Sequence, residues 1–126
     1  MSVLLDTDVV IEILRGRDRR IGAQWASLVG SGTRLFYSPV VAAETWAGAR
    51  PQEHLLVRSF FDSLTCLPAD EDTGKLAGDL LRAYARNHSL EVPDALIAAG
   101  AIQHQAALWT RNRKHYPMPQ LTFYEA

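Results

Sequence analysis

Short apolar segments alternate with stretches of helical periodicity along most of this chain. Residues 3–5 precede apolar positions at helical spacing, and residues 35–37 precede Ser38 and Pro39, a helix cap followed by proline in the first turn. Three further strands are predicted at residues 64–67, 107–110 and 121–124. This alternation predicts an α/β protein, a three-layer α/β/α sandwich with a mostly parallel central sheet of about five short strands.

Proline and cap residues place the predicted helices between these strands. Helices are expected over residues 39–48, from Pro51 onward, over residues 70–87, and from Pro93 into a very apolar segment that ends near residue 102. The chain has 126 residues, of which 48% are hydrophobic, and this suits one domain over residues 1–126.

Charge and cysteine content exclude several classes of protein. Thirteen Lys and Arg residues oppose fourteen Asp and Glu, so a polyanion would have to be bound by a local basic patch. Cys66 is the only cysteine of the sequence, which excludes a disulfide within the chain. The start lacks a charged leader with a long apolar segment, and no run is long enough to cross a bilayer. A cytoplasmic protein is expected.

Three acidic residues lie near the starts of predicted helices. Asp6 closes the first strand, Glu44 lies in an apolar helix where substantial burial is expected, and Asp94 begins the apolar segment. Each alone is explained by helix capping or by a solvent-facing position. Because ligands of parallel α/β sheets bind beyond the carboxyl ends of the strands, the three together indicate a shared cleft.

Converging carboxylates repel one another unless a divalent cation neutralises them. Ligands that are oxygen atoms only favour a hard ion, Mg²⁺ or Mn²⁺. The natural chemistry of such a site is activation of water and stabilisation of charge at a phosphodiester.

The order of these segments resembles that of PIN-domain ribonucleases, in particular the VapC-type toxins of bacterial toxin–antitoxin pairs. The resemblance is carried by LDTDV around Asp6, VAAET around Glu44, PDALIAA around Asp94, and the closing segment TRNRKHY, and it covers essentially the whole chain. It implies a metal-dependent endoribonuclease that uses Mg²⁺ or Mn²⁺.

The resemblance also implies roles for individual residues. Asp6, Glu44 and Asp94 would bind the metal ion and act in catalysis. A fourth position, commonly acidic in the family, is Asn112 here, which adds no negative charge. Supporting contacts are expected from three neighbouring residues, namely Thr7, Asp8 and Thr110.

Two basic clusters are candidates for holding RNA phosphates. Arg15 stands at the head of one cluster with Arg17, Arg19 and Arg20, and the second cluster follows the fourth predicted strand. The second comprises Arg111, Arg113, Lys114 and His115. The RNA-binding prediction rests on Arg111, Arg113, Lys114 and Arg15, with a solvated basic loop as the alternative.

The resemblance implies three partners: an RNA substrate, a cognate antitoxin protein, and a second copy of the chain in a homodimer. The apolar residues at 28–29 and 55–61 either pack internally or form grooves for partner helices. Two other functions stay open. One is a PIN scaffold without catalysis that binds RNA or protein. The other is a phosphatase of the haloacid-dehalogenase kind, because Asp6-Thr7-Asp8 matches its Asp-x-Asp pair.

Overall fold

The computed structural model describes residues 1–125. Within them, four strands and six α-helices alternate. The strands are β1 (Ser2–Leu5), β2 (Arg34–Tyr37), β3 (Thr65–Cys66) and β4 (Ala107–Trp109). The helices are α1 (Thr7–Arg15), α2 (Arg19–Gly30), α3 (Pro39–Gly48), α4 (His54–Asp62), α5 (Glu71–His88) and α6 (Val92–Gln103).

The four strands form one parallel sheet in the order β3-β2-β1-β4. From β1 to β3 the chain moves outward in one direction, and it then returns past β1 to β4. Because crossovers between parallel strands are right-handed, the first four helices cover one face of the sheet and α5 and α6 cover the other. This confirms the α/β sandwich expected from the sequence.

The prediction of a strand at residues 121–124 is wrong. The segment makes a single parallel bridge, between Phe123 and Leu108. The backbone N–H and C=O groups of Ala107 and Trp109 point toward β1. The Trp109 carbonyl, for example, accepts a hydrogen bond from the Asp6 amide. A strand of three residues therefore has only the backbone groups of Leu108 on its outer edge, and these bond to Thr122 and Tyr124.

Helix α2 was not predicted, although its signals are present in the sequence. Asp18 caps it by accepting hydrogen bonds from the amides of Arg20 and Ile21. Ile21 and Leu28 are buried, and Trp25 packs partly against the core between them. The helix begins at Arg19 and Arg20, two residues of the basic cluster predicted to hold phosphates, and this cluster conceals the apolar spacing that follows it.

The apolar residues at 28–29 and 55–61 divide between core and surface. Phe60 and Phe61 are buried, whereas Leu55 is 83% exposed and Leu56 is 55% exposed. At the end of α2, Leu28 is buried and Val29 is exposed. Among residues 1–125, no helix is both long and apolar enough to cross a membrane.

Candidate active site

The carboxylate of Asp6, the residue between β1 and α1, accepts three hydrogen bonds. It follows three fully buried residues of β1, and its own exposed fraction is only 7%. Its Oδ1 accepts from the Thr7 amide at 2.8 Å, which caps α1. Its Oδ2 accepts from the Thr110 hydroxyl at 2.8 Å and from the Tyr116 hydroxyl at 2.7 Å. These donors satisfy a buried carboxylate that would otherwise be costly.

Asp94 lies near the same tyrosine. The Tyr116 hydroxyl is 3.5 Å from Asp94 Oδ1, and His115 Nδ1 is 3.7 Å from Asp94 Oδ2. Partial burial raises the pKa of the Asp94 carboxyl, and the negative charge of Asp6 raises it further. Asp94 does not cap α6, since the helix begins two residues earlier, at Val92.

Glu44 reaches the site through Thr7. The Thr7 hydroxyl donates to Glu44 Oε1 at 2.6 Å. The expected burial of Glu44 is wrong, because Glu44 is exposed. Helix α3 buries Val41 and Thr45, one turn apart, and Glu44 lies about 100° around the helix from Thr45, at the rim of the cleft. The charge of Glu44 still acts on Asp94, whose pKa it helps to raise.

Asp8 connects α1 to the segment that follows β4. Its Oδ2 accepts from the Arg111 amide at 3.1 Å and lies 3.5 Å from the Thr110 hydroxyl. Its Oδ1 is buried and has no hydrogen-bond partner among residues 1–125. Burial raises the pKa of Asp8 to about 6, and the neighbouring charge of Asp6 contributes to the rise. Asp8 is therefore the acid least favourably placed in the metal-free protein.

Asn112 stands apart from this network. It is exposed, and its side chain makes no hydrogen bond within the described chain. Its amide donates to the Thr110 hydroxyl oxygen at 3.0 Å, so it supports the site through the backbone. The structure thus joins Asp6, Asp8, Glu44 and Asp94 to one another through hydroxyl groups and mutual charge, but not Asn112.

Two of the four basic residues predicted to bind RNA are engaged by other side chains. The Arg111 guanidinium lies 3.0 Å from Glu12 Oε1 and 3.9 Å from Asp18 Oδ2. The Arg113 guanidinium pairs with Glu125 at 3.0 Å and covers the Phe123 ring. Lys114 and Arg15 are exposed, and neither forms an ion pair with residues 1–125.

Tyr116 is the residue that sequence reasoning missed. It lies in the closing segment TRNRKHY, but its position there did not distinguish it from a core aromatic residue. Only 3% of it is exposed. Burial raises the pKa of its hydroxyl, and the charge of Asp6 raises it further, so the hydroxyl keeps its proton and donates.

The carboxylates of the site have the chemistry of ligands for a hard divalent cation. The acids offer oxygen ligands only. Burial raises the pKa values of Asp8 and Asp94, and the neighbouring negative charge of Asp6 raises both further, which a bound cation would offset. Within residues 1–125, however, no three acidic, histidine or cysteine side chains converge closely enough to form a preformed ion site. The chemistry fits Mg²⁺ or Mn²⁺, whereas the side chains as they stand do not enclose an ion.

Comparison with known proteins agrees with this fold. The sequence model of the PIN domain family matches residues 3–120. Ribonuclease VapC19 of Mycobacterium tuberculosis is 34% identical over 116 residues, which are 91% of this chain and 92% of that protein. Ribonuclease VapC10 of the same species is 36% identical over 121 residues, which are 92% of this chain and 86% of that protein. The chain belongs to the PIN domain family.

A solved structure supports the same assignment of the fold. The complex described as VapBC2 from Rickettsia felis bound to a DNA fragment from its promoter contains a chain that aligns with a TM-score of 0.83 and 21% identity. The alignment covers 98% of each chain. At this identity the likeness concerns the fold.

Proposed function

We propose that this protein is an endoribonuclease that hydrolyses RNA phosphodiesters with the help of Mg²⁺ or Mn²⁺. The observation that carries the proposal is the set of acids near the carboxyl end of β1. The Tyr116 hydroxyl lies near both Asp6 and Asp94, and Thr7 donates to Asp6 through its amide and to Glu44 through its hydroxyl. The two Mycobacterium tuberculosis relatives named ribonucleases, at 34% and 36% identity, support the choice of substrate.

The proposed roles follow from the contacts of each residue. Asp6, Asp94 and Glu44 would hold the ion, which when bound neutralises their charge and supplies the activation of water. Thr7 and Thr110 keep Glu44 and Asp6 in place by donating to their carboxylates. Asn112, at the exposed edge, would contact the substrate or an ordered water rather than carry negative charge.

Asp8 replaces the missing fourth acid as a source of negative charge. It lies one helical position beyond Thr7, and its charge and that of Asp6 interact. The position of Asn112 is commonly acidic in the family. Here Asp8 would supply that negative charge instead, since both Asp8 and Asn112 lie against the Thr110 hydroxyl.

RNA would be held by basic side chains around the acids. Exposed Lys114 and Arg15 are free for phosphate contacts within the described chain, whereas Arg111 and Arg113 would have to exchange their carboxylate partners for phosphate. Because the formal net charge is only −1, these local contacts would supply the attraction for RNA.

We also propose that the protein is the toxin of a toxin–antitoxin pair and forms a homodimer. The structural neighbours include a toxin–antitoxin complex from Klebsiella pneumoniae and the VapBC2 complex. A groove between α1, α3 and α4 offers a matching surface for an antitoxin helix. It is lined by apolar Ile11, Leu14 and Leu56 and by three charged residues, Arg15, Glu44 and Glu53. A helix bound there would cover Glu44, at the rim of the active site.

The proposal is tested with purified, antitoxin-free protein and total RNA in Mn²⁺, with EDTA and the Asp6→Ala variant as controls. Discrete cleavage that is lost in both controls is expected. Asp94→Asn should also abolish cleavage, while Asp72→Asn, which alters an exposed acid of α5, should leave it unchanged. Intact RNA together with an absence of Mn²⁺ binding would favour the catalytically inactive scaffold.

The phosphatase alternative is disfavoured by the surroundings of Asp6. In that class the first aspartate is a nucleophile, whereas both carboxylate oxygens of Asp6 already accept hydrogen bonds from the protein. Hydrolysis of a small chromogenic phosphate ester, abolished by Asp6→Ala, would be the result in favour of that alternative.

A further inference from the structure

The Tyr116 hydroxyl lies between the two central acids of the site. It is 2.7 Å from Asp6 Oδ2 and 3.5 Å from Asp94 Oδ1. The short turn Arg113–His115 delivers Tyr116 to this position after β4, and the ring is buried. A buried tyrosine hydroxyl needs a partner, and here the partner belongs to the site itself.

The hydrogen bonds of Asp6 leave little of its carboxylate available. An ionised carboxylate has about four lone-pair positions. Oδ2 accepts from both Thr110 and Tyr116, and Oδ1 accepts from the Thr7 amide. The remaining capacity of Asp6 is therefore on Oδ1, and the two hydroxyl groups on Oδ2 fix the orientation in which Oδ1 is presented.

The Tyr116 hydroxyl can donate only one hydrogen. The distances assign that hydrogen to Asp6, because 3.5 Å to Asp94 is at the limit of a hydrogen bond. The hydroxyl therefore acts directly on Asp6, whereas Asp94 lies nearby without a short hydrogen bond from it.

We propose that Tyr116 is a positioning residue whose hydroxyl sets the orientation of Asp6 for binding of a divalent ion. This inference rests on the proposed function. It assigns the role to the hydroxyl group rather than to the ring, which packs in the core as any large aromatic side chain would.

The test is the affinity for Mn²⁺ alone, measured by calorimetry on the wild-type protein, Tyr116→Phe and Tyr84→Phe. Tyr84→Phe is the control, because it removes a tyrosine hydroxyl from a partly buried ring that packs against His88 on α5. Tyr116→Phe should weaken Mn²⁺ binding about tenfold or more, as is typical when a group that orients a metal ligand is removed. Tyr84→Phe should stay within about twofold of the wild type.

Urea unfolding in EDTA separates this role from a general loss of stability. The Mn²⁺ affinity of Tyr116→Phe should fall even though the variant is folded in EDTA. If it is unfolded there, its Mn²⁺ affinity is measured from the stability that added Mn²⁺ restores, since an ion that binds only the folded state stabilises it. Unchanged Mn²⁺ affinity in the folded variant overturns the inference and leaves the proposed function intact. Absence of Mn²⁺ binding by the wild type overturns both.

Discussion

Replacing Asp8 by Asn is expected to stabilise the metal-free protein at neutral pH. Asp8 is a partly buried acid whose Oδ1 has no partner among residues 1–125 and whose charge opposes that of Asp6. Asparagine keeps an oxygen that can accept the hydrogen bond from the Arg111 amide. The substitution therefore removes an unfavourable charge while keeping a contact that holds the loop after β4.

The size of the effect follows from the pKa. A rise from 3.8 to about 6 corresponds to at most about 3 kcal/mol of stability lost to ionisation in the folded state. Asp8 is only partly buried, so screening by water reduces this to about 1–2 kcal/mol. The amide nitrogen of asparagine must also be accommodated where Oδ1 now lies, which favours the lower end of that range.

The pH dependence has a definite sign. Below pH 3.8 the carboxyl is protonated in both states, so it carries no ionisation penalty. Between 3.8 and about 6 the folded protein retains a proton that the unfolded chain has lost, so stability falls as the pH rises. The difference between Asp8→Asn and the wild type should grow through this interval and stay constant above it.

Urea unfolding at a series of pH values in EDTA measures this difference. In Mn²⁺ the advantage of the variant should shrink or reverse, because a bound cation compensates the charge of the wild-type acid. A wild type that equals or exceeds Asp8→Asn in stability at pH 7 in EDTA would contradict the reasoning, as would a difference that does not vary with pH.

Three further predictions concern the scaffold of the site, and urea unfolding at pH 7 measures each. Glu12 accepts hydrogen bonds from the Arg111 guanidinium and from two loop amides. Glu12→Ala should therefore lower the free energy of unfolding by about 1–2 kcal/mol, and by less in an Arg111→Ala background. An equal loss in both backgrounds would show that the ion pair contributes nothing. Gly16 follows α1 with a φ of +67°, so Gly16→Ala should lower the free energy of unfolding by about 1 kcal/mol. An unchanged stability would contradict the expected backbone strain. Leu4→Ala, in the fully buried central strand, should cost about 2–5 kcal/mol, whereas Leu55→Ala, at an exposed position, should stay within about 0.5 kcal/mol of the wild type.

Local sequence patterns were sufficient for most of the secondary structure. Ser38 and Pro39 predicted the start of α3, and the apolar run at residues 3–5 predicted the central strand β1. These patterns work because capping and periodic burial depend on residues within a few positions of one another. Helix α2 was missed although its cap, Asp18, is as local as the others.

The extent of the sheet depended on tertiary pairing. The segment at residues 121–124 has the composition of a strand, but its pairing is limited by the three residues of β4. No property of the segment itself reveals how many backbone groups its neighbour leaves free.

Asp6 could be chosen as a candidate from sequence because a strand that ends in an acid before a helix is a local signal. Glu44 and Asp94 became candidates because each lies in an apolar helical segment. The environments of these acids could not be predicted from the sequence. Glu44 was expected to be buried and is exposed, since the packing of α3 decides which of its sides faces the core. Tyr116 meets Asp6 across 110 positions of the chain, a separation that no local pattern reports. Folding alone brings that hydroxyl to the carboxylates, because only the parallel sheet sets the ends of β1 and β4 side by side.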